Sequence, residues 1–360
     1  MMAATSDAAT PGAEPGTSRA GTSRPGAGGS RRMRAAVLHG HGQPPEYGWH
    51  PVPKRGAGQV TIRVTAAPIN PLDLLCASGV SYFGAPTLPY VPGAQGVGVI
   101  EAADTLAGPL AAGQRVWFSG SAGMAPGDGS LAELCVVGQD AALPLPDGLA
   151  DDLAAALGLS AIAAWMALSW RGRLRPGEHV LVLGASGTVG QVGIQAARLL
   201  GAGRVTAACR DPHGLQRAAE LGADAVADLS GDDAGVLPGR LAAACAGRLD
   251  LVLDPVWGLP ARAALEVLSP GGRLVNLGSS AAPRASLSSA TLRSGMREVL
   301  GYTNNALSPQ QKADALAEIL AHAAAGELDT DREVLPLADV AGGWTRCGMA
   351  PHRRAVMTPP

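Results

Sequence analysis

The sequence predicts an α/β protein: a doubly wound parallel sheet joined to a smaller, turn-rich β-barrel domain. Three observations carry that prediction. From Met33 to about residue 150 the chain reads as short β-rich runs separated by Pro and Gly clusters. At about residue 151 it changes to alternating strands and helices. Between one such strand and helix lies the glycine-rich loop "GASGTVG" at 184–190.

The elements follow in order. "MRAAVLHG" at 33–40 and "QVTIRVTAAPIN" at 59–70 alternate or are β-branched, with Val60, Ile62 and Val64 on one face against Thr61, Arg63 and Thr65. "GQRVWFSG" at 113–120 and "LAELCVV" at 131–137 read as further strands, and "LPLPDGL" at 143–149 as an extended exit. "DDLAAALGLSAIAAWMALSW" then begins acidic and continues apolar at helical spacing. "HVLVL" at 179–183 is a short buried strand, and the helix after the glycine loop places Val189, Val192, Ala196, Ala197 and Leu200 on one face. Strands at 204–209, 224–228, 249–254 and 272–278 alternate with helices at 213–222 and 259–268. That alternation implies βαβ units and a parallel sheet. A helix at 308–325 and a strand at 354–357 end the chain. The domains expected are 33–150, 151–295, and a return of 296–360 to the first.

Composition narrows the function classes. The 360 residues carry a net charge of −2, with 47% hydrophobic and 16% charged residues. No basic block follows the first 35 residues, so a nucleic-acid surface is not expected. No apolar run of about 18 residues stands out as a membrane span. The five cysteines are odd in number, widely spaced and without a C-x-x-C pair, which argues for reduced thiols rather than disulfides or structural zinc. A cytoplasmic protein with a small-molecule substrate is expected, and a homodimer is compatible with this. Residues 1–32, rich in Ala, Gly, Ser, Thr and Pro, read as a disordered tail without a secretory apolar core, with Met33 as an alternative start.

The glycine loop carries the chemistry. Ala185-x-Gly187-x-x-Gly190 is a variant dinucleotide fingerprint with Ala for the first Gly. It follows a strand and opens a helix, so Gly184, Ala185, Ser186, Gly187, Thr188, Val189 and Gly190 would bring backbone N–H groups against a pyrophosphate. Twenty residues beyond Gly190 stands Arg210, next to Asp211. A cation there pairs with a 2′-phosphate and favours NADP, whereas a carboxylate favours NAD. The reading is NADPH, with Arg210 as its reader.

With those motifs in place, the chain from residue 33 onward resembles the medium-chain dehydrogenase/reductase superfamily, in its quinone oxidoreductase (zeta-crystallin-like) branch. The resemblance rests on "APINPLD" at 67–73, "PYVPGAQGVGVIEAAD" at 89–104, "GASGTVG", "ELGADAVAD" at 220–228, and "LDLVLDPVWG" through "LSPGGRLVNLG" at 249–278. It implies a GroES-like β-barrel domain and a Rossmann domain. Zinc-dependent members place Cys where Asn70 stands and His-Glu where Ala94-Gln95 stands, so no metal is expected. His39, His41 and His50 read as solvated loop residues.

The resemblance also implies roles. Asn70 and Tyr82 would line the cleft, Tyr82 near a tyrosine that binds quinone or protonates enoyl substrates in relatives. Ser160 and Trp165 would contact the nicotinamide ribose and ring. Gly278 and Ser279 in "NLGSS" would face the nicotinamide, as would Asp254 unless it caps its turn. Arg354 takes the place of a basic residue used on the phosphates, although its neighbour is Arg353 rather than glycine. The activity implied is NADPH-dependent reduction of a quinone or α,β-unsaturated carbonyl. The alternatives are a non-catalytic nucleotide-binding or structural protein on the same fold, or an enoyl-thioester reductase.

Overall fold

The computed structural model describes residues 31–360 apart from 82, 104–107, 109, 122, 232–234 and 350–352. The tail expected over 1–32 lies outside the described residues up to residue 30, and Arg32 already opens a strand.

In the first half the strands are β1 (Arg32–Val37), β2 (Glu46–Pro51) and β3 (Gln59–Pro68), then helix α1 (Pro71–Ala77), then β4 (Gln95–Ala102), β5 (Arg115–Ser119), β6 (Leu134–Gly138) and β7 (Ala142–Pro144). The period-2 reading of β3 holds: Val60, Ile62 and Val64 are buried in one apolar cluster with Met33, Phe118 and Leu131. β3, β4, β5 and β7 pair antiparallel in that order, and β6 pairs with β3.

The second half begins with α2 (Asp151–Met166), followed by β8 (His179–Leu183), α3 (Thr188–Leu199), β9 (Arg204–Cys209), α4 (Pro212–Glu220), β10 (Ala225–Asp228), α5 (Leu237–Ala244), β11 (Leu251–Asp254), α6 (Gly258–Val267), β12 (Arg273–Asn276), α7 (Ser289–Ser294) and β13 (Glu298–Gly301). These strands form a parallel sheet ordered β10-β9-β8-β11-β12-β13. Covered on both faces, β8 and β11 are nearly continuous buried runs. The order reverses between β8 and β11, so the crevice at the carboxyl ends of those strands is the switch point where open α/β sheets take ligands.

The chain then closes with α8 (Pro309–Ala324), β14 (Arg332–Pro336), α9 (Val340–Met349) and β15 (Arg354–Thr358). β14 runs parallel to β15, and β15 pairs with β3, so the chain end joins the antiparallel sheet. The return expected at 296 comes later than the sequence predicts. β13 pairs parallel with β12, and α8 packs on α2, so the crossing falls just before β14. β13 is a half-buried sheet edge with no periodicity to betray it.

The helix Asp151–Arg171 is long and apolar enough to cross a membrane, contrary to the sequence reading that found no such run. Here it is a core helix. It packs against α3 and α8 on one side and β3, β4 and β15 on the other, in one apolar cluster that spans both sheets.

Candidate active site

The site is assembled where the carboxyl ends of the parallel strands meet the end of β3. β8 runs into Gly184, whose φ of +63° is the left-handed region glycine alone adopts without strain. Gly187 N–H returns to the Gly184 carbonyl at 3.1 Å, and Ala185 N–H donates to Ala208 in β9 at 3.1 Å. The loop is thus a tight turn pinned to the sheet. A Cβ on Gly190 would lie 2.3 Å from the Gly184 oxygen, so α3 packs on the turn at backbone distance. A Cβ on Gly187 would meet only that oxygen, at 3.7 Å, which leaves open space over the helix N-terminus. Gly187, at the N-cap of α3, offers no side chain to cap it, so the first-turn N–H groups face that space. Ser186, Gly187 and Val189 are half-buried, Ala185, Thr188 and Gly190 buried. The cradle fits a dinucleotide pyrophosphate.

Sequence reasoning missed Gln191. Its Nε2 donates to the Ser186 carbonyl at 2.9 Å, and its Oε1 accepts from Asp331 N–H and Thr330 Oγ1 at 2.8 and 3.1 Å. It ties the cradle to the strand-to-strand crossing before β14. Only the fold, which brings residues 140 apart in sequence together, reveals this.

Arg210 is exposed at the end of β9 and forms no ion pair among the described residues. Asp211, its competitor, is the N-cap of α4 and accepts from Gly214 N–H at 2.9 Å. Asp254 likewise caps its own turn: it is fully buried and accepts from Val256 and Trp257 N–H at 3.0 and 2.8 Å. Burial raises its pKa. Asn276 donates to Asp254 at 2.9 Å and to the Gly278 carbonyl at 2.7 Å, which shapes the turn after β12. Gly278 approaches the Pro255 carbonyl too closely for a side chain, and Ser279 is exposed beside it.

On the barrel side, Asn70 caps α1 and is 4% exposed. Arg354 bridges the residue before it to Ser160. Arg354 Nη1 donates to the Ile69 carbonyl at 2.9 Å, and Nη2 to Ser160 Oγ at 3.0 Å. Both terminal nitrogens are therefore turned onto protein acceptors. Trp165 is buried in the core with its ring 5.5 Å from His322. Tyr82 lies outside the described residues. His50 is not a solvated loop residue: it lies on β2, half-buried, with Nε2 2.9 Å from Asp128.

Two side chains of this cluster have roles that the sequence does not show. Gln95 is fully buried and its Nε2 reaches Asn70 Oδ1 at 3.4 Å. Asp73 is fully buried, and its two oxygens accept from Asn70 and Ala94 N–H, each at 2.7 Å. It clamps the Asn70 turn to the "PGAQG" segment. Burial outweighs these bonds and the nearby Arg354 charge, so its pKa rises from 3.8 to about 6.

That rise has a sign. A buried acid with a raised pKa leaves stability intact below the unfolded value and withdraws it as pH climbs through the folded value. Relative to Asp73→Asn, the wild type should lose about 3 kcal/mol of unfolding free energy between pH 4 and 7. Urea titrations of both proteins across that window test this. A difference independent of pH would show that Asp73 does not titrate there.

The residues at the zinc positions of the family do not fit a metal. Ala94 offers no donor, and the Asn70 and Gln95 amides are turned toward one another. Among the described residues no group of three His, Cys, Asp or Glu side chains could hold an ion.

A barrel sheet docked on a parallel sheet, with a glycine cradle at its switch point, defines a dinucleotide-fold oxidoreductase. Residues 56–147 match the alcohol dehydrogenase GroES-like domain, and residues 188–321 match the zinc-binding dehydrogenase family. The quinone oxidoreductase of Thermus thermophilus, whose structures include a complex with NADPH, is 33% identical. It superimposes with a TM-score of 0.73 over 91% of this chain and 100% of that one. The Mus musculus quinone oxidoreductase is 38% identical over 151 residues, 42% of this chain and 43% of that one. A phenolphthiocerol/phthiocerol polyketide synthase chain of Mycobacterium tuberculosis is 34% identical over 290 residues. That match covers 79% of this chain and 13% of the synthase, so the chain spans a small part of that relative. The chain belongs to the medium-chain dehydrogenase/reductase superfamily, in its quinone oxidoreductase-like branch.

Proposed function

We propose that this oxidoreductase uses NADPH to reduce a quinone or an α,β-unsaturated carbonyl, without a metal. The observation that carries the reading is the pairing at β9. Arg210 stands exposed at the strand end, outside every ion pair of the described residues, while Asp211 is turned into the α4 cap. A 2′-phosphate would meet a cation there.

When bound, the dinucleotide supplies a hydride; the chain supplies position and charge. The cradle at 184–190 would hold the pyrophosphate, and the turns after β11 and β12 would border the nicotinamide end. Asn70 donates a hydrogen bond to the acceptor oxygen as it gains negative charge. Tyr82 supplies the proton to an enolate, the general-acid role of a phenol.

The match to a polyketide synthase supports a second acceptor class, enoyl thioesters. Steady-state NADPH oxidation against panels of quinones, enones and enoyl thioesters separates these. Turnover of none of them above the uncatalysed rate would overturn the proposal. Arg210→Ala tests the cofactor. It should weaken NADPH by roughly 1.5–3 kcal/mol, the range for hydrogen bonds to charged groups, and leave NADH nearly unchanged. Equal losses for both nucleotides would remove Arg210 from the phosphate site.

A further inference from the structure

α2 contains a break. Gly158 sits at φ +25° and ψ −121°, outside the helical region, yet the helix continues on both sides. Such kinks have an identifiable cause, and a side chain inserted into the i→i−4 ladder is one. Here that side chain is Gln95. Its Nε2 donates to the Ala155 carbonyl at 3.1 Å, and its Oε1 accepts from Leu159 N–H at 2.5 Å. Ala155 and Leu159 are the carbonyl and N–H that an unbroken helix would join. The Gln95 amide thus stands between them as a peptide group would. Gly158 is required because a Cβ there would lie 1.9 Å from Gln95 Oε1 and 2.6 Å from Trp117 Nε1.

This insertion fixes which way the amide faces. A backbone N–H only donates and a carbonyl only accepts, so Oε1 must face Leu159 and Nε2 must face Ala155. The second Nε2 hydrogen is then directed to Asn70, whose Oδ1 lies 3.4 Å away. Asn70 Oδ1 is thereby occupied as an acceptor, and its Nδ2 becomes the group left to donate. The Asn70 side chain also bonds the Asp73 carboxyl, and the other Nδ2 hydrogen has only the Pro68 carbonyl at 3.5 Å, the outer limit of a hydrogen bond, from which it can turn to an acceptor. The residue two positions past the break is Ser160 with its Arg354 bond, so the same amide also sets the turn that presents Ser160.

We infer that Gln95 is a positioning residue that inserts into α2 and orients Asn70 as a hydrogen-bond donor toward the acceptor oxygen. This rests on the reductase reading above. Its chemical requirement is specific: one group that donates and accepts at fixed spacing. Two hydrogens must be donated, to Ala155 and to Asn70, and one accepted from Leu159: a primary amide does this, a protonated carboxyl has one hydrogen and can serve only one of the two acceptors, and a carboxylate has none.

Gln95→Glu tests it by pH. With the substituted carboxyl ionised, the Ala155 carbonyl and Asn70 Oδ1 both face a negative charge, and Asn70 turns its oxygen toward the acceptor. The variant's kcat should fall at least about tenfold at pH 8, short of the ~10²–10³-fold for losing an oxyanion donor outright. It should stay low near pH 5, where the neutral carboxyl has a single hydrogen, enough to restore the Ala155 bond and the run of α2 but leaving none for Asn70. The Asp73 carboxyl on the Asn70 turn titrates at about 6 in both proteins, so the variant's kcat is read against the wild type's at each pH. Asn70→Asp gives a second route that leaves α2 intact: one oxygen keeps the Gln95 bond, the other replaces the donor, and kcat falls comparably at pH 8. Should Gln95→Glu fold poorly at pH 8, its melting temperature must rise as pH falls toward 5, which reads the insertion independently of turnover. A wild type without turnover on any acceptor would sink the reductase reading, and that melting profile would still decide the insertion. Wild-type kcat and melting temperature in Gln95→Glu at every pH, or wild-type kcat in Asn70→Asp, would overturn the inference.

Discussion

Gly190→Ala is expected to abolish useful nucleotide binding. The added methyl would lie 2.3 Å from the Gly184 oxygen, 2.6 Å from Ala185 Cα and 2.8 Å from the Gly184 carbonyl carbon. All three are backbone atoms, so no rotamer change relieves the contact. α3 must back away from the turn, and the N–H groups of its first turn leave with it. Overpacking of this kind costs about 1–3 kcal/mol, and the displaced cradle should raise the NADPH Kd at least about 100-fold, the weight of two lost charge-assisted hydrogen bonds at roughly 1.5 kcal/mol each. Gly187→Ala is the control. Its φ of −83° suits any residue, and the methyl meets only one atom, at 3.7 Å. That variant should melt like the wild type and still bind NADPH more weakly, because the methyl projects where the pyrophosphate sits. Calorimetry and fluorescence titration separate the two outcomes. An unchanged Kd in Gly190→Ala would mean that the dinucleotide does not use this turn.

The parts of the molecule legible in the sequence are those whose cause is local. β3 shows its alternation, β8 its apolar run, and the turn at 184–190 its glycines, because each is fixed by neighbours a few residues away. β4 is visible only as a motif, since "QGVGVIEA" has two glycines and is buried nearly throughout, which hides the period. β13 is legible only as part of the wrong sheet, because an edge strand with half-buried residues carries no pattern. The site divides the same way. The nucleotide cradle can be read, as can Asn70 by resemblance. Asp73 and Gln95 cannot, because their partners lie 21, 60 and 64 residues away in sequence. Nothing in "PLD" or "GAQG" says that a carboxylate will clamp two turns or that an amide will enter a helix. Arg354 is legible as a cation near the site, but its partners are not.

Arg354→Met should lower stability most at high pH. Arg354 is 7% exposed, and its guanidinium bridges the Ile69 carbonyl after β3 to Ser160 on α2. Its Nε has no hydrogen-bond partner among the described residues. Burial pulls its pKa down from the ordinary arginine value, with Cys347 and Asp73 opposing that fall. Two effects compete when the cation is removed. Relief of its own desolvation favours the variant, and a well-packed apolar replacement can then be neutral. Against this, the Ile69 carbonyl and Ser160 hydroxyl are left in a dry site, at about 1–3 kcal/mol for each orphaned group. Asp73 decides between them. Its carboxyl titrates at about 6 with Arg354 nearby, and without that positive charge it is pushed higher. At pH 5 the acid is largely neutral in both proteins, so only the orphaned groups count against the variant. At pH 8 the variant must also hold an uncompensated buried carboxylate, or take up a proton to avoid it. Denaturant titrations should therefore show a modest deficit at pH 5 that widens by about 1 kcal/mol or more at pH 8, each pH unit of added pKa being worth roughly 1.4 kcal/mol. Ser160, freed from its donor, should also weaken NADPH binding at both pH values. A deficit that stays the same size from pH 5 to pH 8 would show that Arg354 and Asp73 are not coupled.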